Sequence, residues 1–184
     1  LNFKANLSWI RSTLNRGVFA DRGSSQSIGV TFSAPGSDLE FYRLTYQGEK
    51  YFPLTQLFTL KLRTELGYGD SYGDTPALPF YEHFFAGGFG SIRGFENSTL
   101  GPRSTPPLDE NGNPIIFSSF DNDGRYGQPF GGNLLLEFSA ELIFPLPFVE
   151  DSRQFRPALF FDAGNVFNTE CPTVSTNCFD LSTD

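Results

Sequence analysis

The sequence predicts an all-β fold, an antiparallel transmembrane β-barrel of which the chain supplies part. Three observations carry that prediction. Apolar and polar residues alternate with period two over long runs, the polar rows hold full charges in mid-run, and the apolar rows end in aromatic residues. Consecutive strand residues point to opposite faces, so each run presents one apolar and one polar face. Outward apolar rows, aromatic girdles and a polar interior together make the pattern of a membrane barrel. A soluble antiparallel sandwich alternates too, but its strands usually run about 5–6 residues, whereas the runs here reach about 10–14.

The runs follow one another along the chain. Phe3, Ala5, Leu7 and Trp9 alternate with Asn2, Lys4, Asn6 and Ser8. Ile28, Val30, Phe32 and Ala34 alternate with Ser27, Gly29, Thr31 and Ser33, and Tyr42, Leu44 and Tyr46 with Arg43, Thr45 and Gln47. In the fourth run Phe58, Leu60, Leu62, Leu66 and Tyr68 oppose Thr59, Lys61, Arg63 and Glu65. In the fifth, Leu134, Leu136, Phe138, Ala140, Leu142 and Phe144 oppose Leu135, Glu137, Ser139, Glu141 and Ile143. A sixth strand, with weaker alternation, is expected near Phe155 to Phe167. Lys50 breaks an apolar row near a strand end, where a long cationic side chain reaches headgroups by snorkelling.

The connections alternate in character. Leu14 to Gly23, Pro35 to Asp38, Pro53 to Gln56 and Pro145 to Gln154 are short, while Ser71 to Gly132 is a long insertion rich in Gly, Pro and Asp. Outer-membrane barrels have short periplasmic turns and longer surface loops. The long insertion is therefore expected at the cell surface, with Leu1 to Ile10 descending to the periplasm and Phe155 to Phe167 ascending. Six strands are fewer than the roughly 8 of the smallest bacterial barrels. An open sheet in lipid leaves unsatisfied edges, so the chain either pairs edge to edge with copies or belongs to a larger barrel, the simpler of the two.

Composition fits this reading. The 184 residues include 22 Phe and 7 Tyr, and 18% are charged, against roughly 25% in an ordinary soluble domain. With 19 Gly and 13 Pro a helical bundle is excluded. The chain starts at Leu1 and has no Met, as expected of an internal excerpt. A net charge of −8 argues against nucleic acid as a partner. No cationic-then-apolar leader opens the chain, and the longest apolar stretch, Leu142 to Val149, is far short of a membrane helix. Cys171 and Cys178 lie in a turn-like polar segment and are expected to form a local disulfide, with two free thiols as the alternative. No metal is expected, because His83, the only histidine, is far from both.

The long insertion concentrates unusual residues. Gly87, Gly88, Gly90 and Gly94 surround Arg93, yet a dinucleotide loop needs glycine where Arg93 stands, and no Walker lysine follows. Phe80, Tyr81, Phe84, Phe85, Phe89 and Phe95 favour burial. A loop that folds back into the barrel lumen satisfies both features. His83 lacks a nucleophile partner and reads as structural. Asn97-Ser98-Thr99 fits a glycosylation acceptor by accident, and Glu137 and Glu141 read as lumen charges, because no substrate cleft accompanies them.

Ile92-Arg93-Gly94-Phe95 resembles the signature of the Omp85 superfamily: Val or Ile, then Arg and Gly, then Phe or Tyr, at the tip of the sixth surface loop. Asn15-Arg16-Gly17-Val18-Phe19, Pro35-Gly36-Ser37-Asp38, Gly67-Tyr68-Gly69-Asp70 and Pro79-Phe80-Tyr81-Glu82 are similar to family segments. So are Gly87-Gly88, Gly101-Pro102, Pro145-Leu146-Pro147-Phe148 and Phe161-Asp162-Ala163-Gly164-Asn165-Val166. The ordered likeness spans essentially the whole chain. It implies about the eighth to thirteenth strands of a sixteen-stranded barrel, with residues 71–132 as the sixth loop. The periplasmic POTRA domains, the first strands and the last three would then lie outside the chain.

The resemblance further implies that Arg93 pairs in the lumen with Glu141 and Asp162, that Gly94 permits the turn, and that Phe95 packs on the inner wall. It implies an outer-membrane insertase that is not an enzyme, holds no cofactor and hydrolyses no nucleotide. Its partners would be unfolded outer-membrane β-barrel substrates, outer-membrane lipids and, mainly through POTRA domains, the lipoproteins of the Bam complex. Alternatives are a TamA-like assembly factor, a two-partner secretion transporter, or a passive porin or channel.

Overall fold

A computed structural model describes residues 2–103, 129–145 and 156–169. Six strands form one sheet: β1 (Lys4–Ser12), β2 (Gly23–Ser33), β3 (Phe41–Pro53), β4 (Thr59–Ser71), β5 (Leu134–Ile143) and β6 (Ala158–Phe167). They pair in chain order, each antiparallel to the next. Among the described residues β1 and β6 are the open edges of the sheet. The strands coincide with the period-two runs. Phe58 and Phe144 fall just outside β4 and β5, at the turns.

The register sorts every strand into the two expected faces. One face carries Asn6, Thr31, Arg43, Gln47, Lys61, Arg63, Glu65, Glu137, Ser139, Glu141 and Asp162. The other carries Leu7, Trp9, Ile28, Val30, Leu44, Leu66, Leu136, Phe138, Leu159 and Phe161. Most of these apolar side chains are exposed, Leu7 and Leu159 the most open among them. A contiguous apolar surface on this scale marks contact with a partner or a membrane.

The segment between β4 and β5 returns across the polar face. It passes through a 3-10 turn at Phe80–Glu82 and then pairs by isolated bridges, Phe84 with Gly132 and Ala86 with Leu100. Its contact with the sheet makes a small core of Phe84, Ala86, Leu135 and Val166, with Leu100 against it. Gly67 on β4 admits this packing: a Cβ there would meet the Phe84 ring at 2.5 Å. The Arg43 guanidinium covers the same ring, 4.1 Å from its centroid.

The burial expected of the insertion's aromatics holds for Phe84 alone. Phe80, Tyr81, Phe85, Phe89 and Phe95 are exposed, Phe89 at 91%. Among the insertion's described residues, Leu78, Phe84, Ala86 and Ile92 are the buried hydrophobic ones. His83 packs edge-on to Phe130, with its ring nitrogens 3.0 and 3.2 Å from the carbonyls of Phe130 and Leu78.

Candidate functional site

Arg93 is carried at the end of a glycine-built turn. Gly87 and Gly88 have φ of 106° and 103°, and Gly94 has φ of 92°, values that L side chains rarely adopt. The Gly88 amide donates to the Ile92 carbonyl at 3.1 Å and the Ser91 amide to the Gly88 carbonyl at 3.1 Å. The turn thereby closes on itself and projects Arg93 toward β5 and β6.

On the sheet, Ser139 lies opposite Asp162 and Glu141 opposite Phe160. These four side chains make a square on the polar face, and the guanidinium lies over it. Nε donates to Asp162 Oδ2 at 2.6 Å and Nη2 to Oδ1 at 2.7 Å, a bidentate pair. Nη1 reaches Glu141 Oε1 at 2.7 Å, and Nη2 also donates to Ser139 Oγ at 3.0 Å. The Arg93 backbone amide adds a bond to Asp162 Oδ2 at 3.1 Å, and Ser139 Oγ donates to Oδ1 at 2.7 Å. Phe160 closes the underside, with the guanidinium carbon 3.7 Å from its ring centroid, a cation–π contact.

The two carboxylates have different surroundings. The Asp162 side chain is 2% exposed and Glu141 is 18% exposed. Glu141 also meets Lys61 Nζ at 3.4 Å, so its charge is shared between two cations. The hydrogen bond to Asp162 holds the Arg93 guanidinium above its ordinary range, against the opposing effect of desolvation. A planar, permanently charged fork matched to a carboxylate is the arrangement for which arginine surpasses lysine.

A second set of bonds fixes the turn one strand pair away. Ser91 Oγ donates to Glu137 and accepts from the Gly87 amide at 2.9 Å. Arg63 on β4 donates to the Gly90 carbonyl at 2.6 Å and to Glu65 at 2.8 Å. Ile92 is buried at 4% and approaches the backbone space left open by Gly164.

The structure brings Arg93, Glu141 and Asp162 together on the polar face, and Gly94 occupies the turn. Phe95 does not pack against the described strands. It is half exposed, and Ile92 is the signature's apolar anchor. Turn geometry explains the exchange: Ile92 and Arg93 both face the sheet through the tight turn, where strand alternation does not apply, and Phe95 follows Gly94 at positive φ. Phe160, Ser139, Ser91 and Arg63 were not singled out from sequence. Phe160 was legible in principle, since it stands two residues before Asp162 and shares its face. Cys171 and Cys178 lie outside the described residues. Among the described residues no cluster of His, Cys, Asp and Glu could hold a metal ion.

Chemically the arrangement is a clamp. Glu141 and Asp162 are neutralised by cations, and Glu137 accepts a hydroxyl. Together with Arg63 of β4 they hold a turn of the insertion against three strands.

Residues 1–182 match the family model of the Omp85 superfamily domain. The outer membrane protein assembly factor BamA of Neisseria meningitidis serogroup B is 37% identical over 166 residues, covering 90% of the chain and 19% of that protein. A SAM50-like protein of Schizosaccharomyces pombe is 29% identical over 139 residues, covering 75% of the chain and 25% of that protein. The crystal structure of BamA from Haemophilus ducreyi lacking POTRA domains 1–3 superposes with a TM-score of 0.77 at 34% identity, covering 91% of the chain and 30% of that structure. The chain spans about a fifth to a quarter of the length of the two sequence relatives.

Proposed function

The chain belongs to the Omp85 superfamily, and from that premise we propose that it is part of an insertase that folds β-barrel proteins into the bacterial outer membrane. The six strands are the eighth to thirteenth of a sixteen-stranded barrel. The apolar face meets lipid, the polar face lines the lumen, and residues 71–132 form the sixth surface loop, folded inward. An unfolded substrate strand gains its missing backbone partners at a barrel edge in lipid, where bare N–H and C=O groups are costly. That exchange needs no nucleotide and no bond chemistry from the protein. The partners are unfolded outer-membrane proteins, the surrounding lipid and the Bam lipoproteins.

The observation that supports this reading is the Arg93 clamp. A guanidinium held by two carboxylates ties the loop to strands on the polar face, which gives the barrel an internal brace. An open channel would leave that face to water, and the packed loop disfavours it.

The test is reconstitution of the intact protein, with its accessory subunits, into lipid vesicles. An unfolded barrel substrate added without nucleotide should acquire the heat-modifiable gel mobility of a folded barrel far faster than in protein-free vesicles. Equal rates with and without the protein would overturn the proposal. Free conductance of small ions with no gain in folding would point to a passive channel.

A further inference from the structure

The apolar face is interrupted over β1 to β4 at the end of the sheet opposite the long insertion. The register aligns Arg11, Gln26, Gly48 and Thr64 in one cross-strand row, with Ser24, Lys50 and Leu62 aligned next to it on the same face. Elsewhere these strands present Leu7, Trp9, Ile28, Val30, Leu44 and Leu66 on that side. The interruption is a groove of about 260 Å³, lined by Ser24, Gln26, Tyr46, Glu49, Lys50, Leu62 and Thr64 and floored by Gly48; Glu49 belongs by register to the opposite face, and Arg11 lies beside the groove, paired with Gln26. Gly48 keeps the floor low: a Cβ there would meet the Tyr46 hydroxyl at 2.7 Å. Lys50 Nζ sits 4.6 Å over the Phe52 ring and, like exposed Arg11, has no carboxylate partner among the described residues.

Two cations, two hydroxyls, a phenol and an amide on a lipid-facing surface are costly unless something polar meets them. The groove borders the end of β1 and the start of β2, at the end of the sheet opposite the long insertion. Just beyond it the same face returns to Ile28, Leu44 and Leu66, all exposed. A ligand that fits has an anionic, hydrogen-bond-accepting head and an apolar tail.

We propose that this groove binds the phosphate of an anionic glycerophospholipid from the periplasmic leaflet, between Lys50 and Arg11, with the acyl chains along Ile28, Leu44 and Leu66. Ser24, Gln26, Tyr46 and Thr64 supply donors to the phosphate and glycerol oxygens. This inference rests on the apolar face being the lipid-facing one.

The full-length protein, solubilised in detergent, is incubated with phosphatidylglycerol or with phosphatidylcholine of the same chains, and retained lipid is counted by native mass spectrometry. Phosphatidylglycerol should be retained several-fold over phosphatidylcholine. The combined Arg11→Gln and Lys50→Gln variant should lose that preference while keeping the heat-modifiable gel mobility of a folded barrel. Equal retention of both lipids, or undiminished preference in the folded variant, overturns the site. Inorganic phosphate should fail to displace the lipid; displacement would make this a free-anion site and overturn the lipid assignment. A Leu44→Cys variant in phosphatidylcholine vesicles reports separately on the face. Shielding from a water-soluble maleimide with no lipid preference rejects the site alone, and labelling rejects the lipid-facing reading beneath it.

Discussion

Arg93 on the long insertion and Asp162 on β6 are joined by three hydrogen bonds, two from the guanidinium at 2.6 and 2.7 Å and one from the backbone amide at 3.1 Å. Glu141 contributes one bond to the same cation and shares itself with Lys61. The two carboxylates are therefore unequal, although both were legible from sequence as partners of Arg93.

That inequality is measurable. Breaking a buried, hydrogen-bonded ion pair costs about 3–5 kcal/mol because the remaining charge is left uncompensated, whereas a partly exposed pair is worth about 1 kcal/mol or less. Asp162→Asn should release the insertion from the sheet much more than Glu141→Gln does. Hydrogen exchange at the amides of residues 87–95 in the intact protein provides the measurement. Equal acceleration in the two variants would contradict the ranking.

The signature's two apolar residues should also separate. Ile92 is buried against β5 and β6, and truncating such a side chain costs about 2–5 kcal/mol. Phe95 is half exposed, and changes at such positions usually stay within about 0.5 kcal/mol. Ile92→Ala should speed proteolytic nicking of the insertion in folded protein, while Phe95→Ser should leave it near the parent rate.

Gly67 gives a third prediction. A methyl group at this position would stand 2.5 Å from the Phe84 ring, and forcing extra volume into packed sites typically costs about 1–3 kcal/mol. Gly67→Ala should displace Phe84 from the sheet without unfolding it. The expected signature is faster exchange at Phe84 and Ala86, with the protection of β2 and β3 unchanged.

The strands were legible because burial on one side imposes period two, and a one-residue slip would turn every side chain to the wrong face. β6 was the faint one, since Phe160 and Phe161 are adjacent aromatics on opposite faces. Phe161 belongs to the apolar face, while Phe160 serves the guanidinium. The insertion was harder to read. Its aromatics favour burial by composition, but which of them meets the sheet depends on contacts made across the fold, such as the space that Gly67 leaves for Phe84. Ser139 and Ser91 carried no sequence signal, because a serine's value here comes from what stands beside it across the fold.

The central claim is that the Arg93–Asp162 bond holds the insertion in place and that this hold supports assembly of other barrels. The most direct measurement exchanges the two residues in the intact protein, in cells depleted of the parent copy, and follows the fraction of a reporter outer-membrane protein that folds. Arg93→Asp alone and Asp162→Arg alone should each reduce that fraction strongly, and the combined exchange should recover part of it. Normal reporter folding in both single variants would contradict the account.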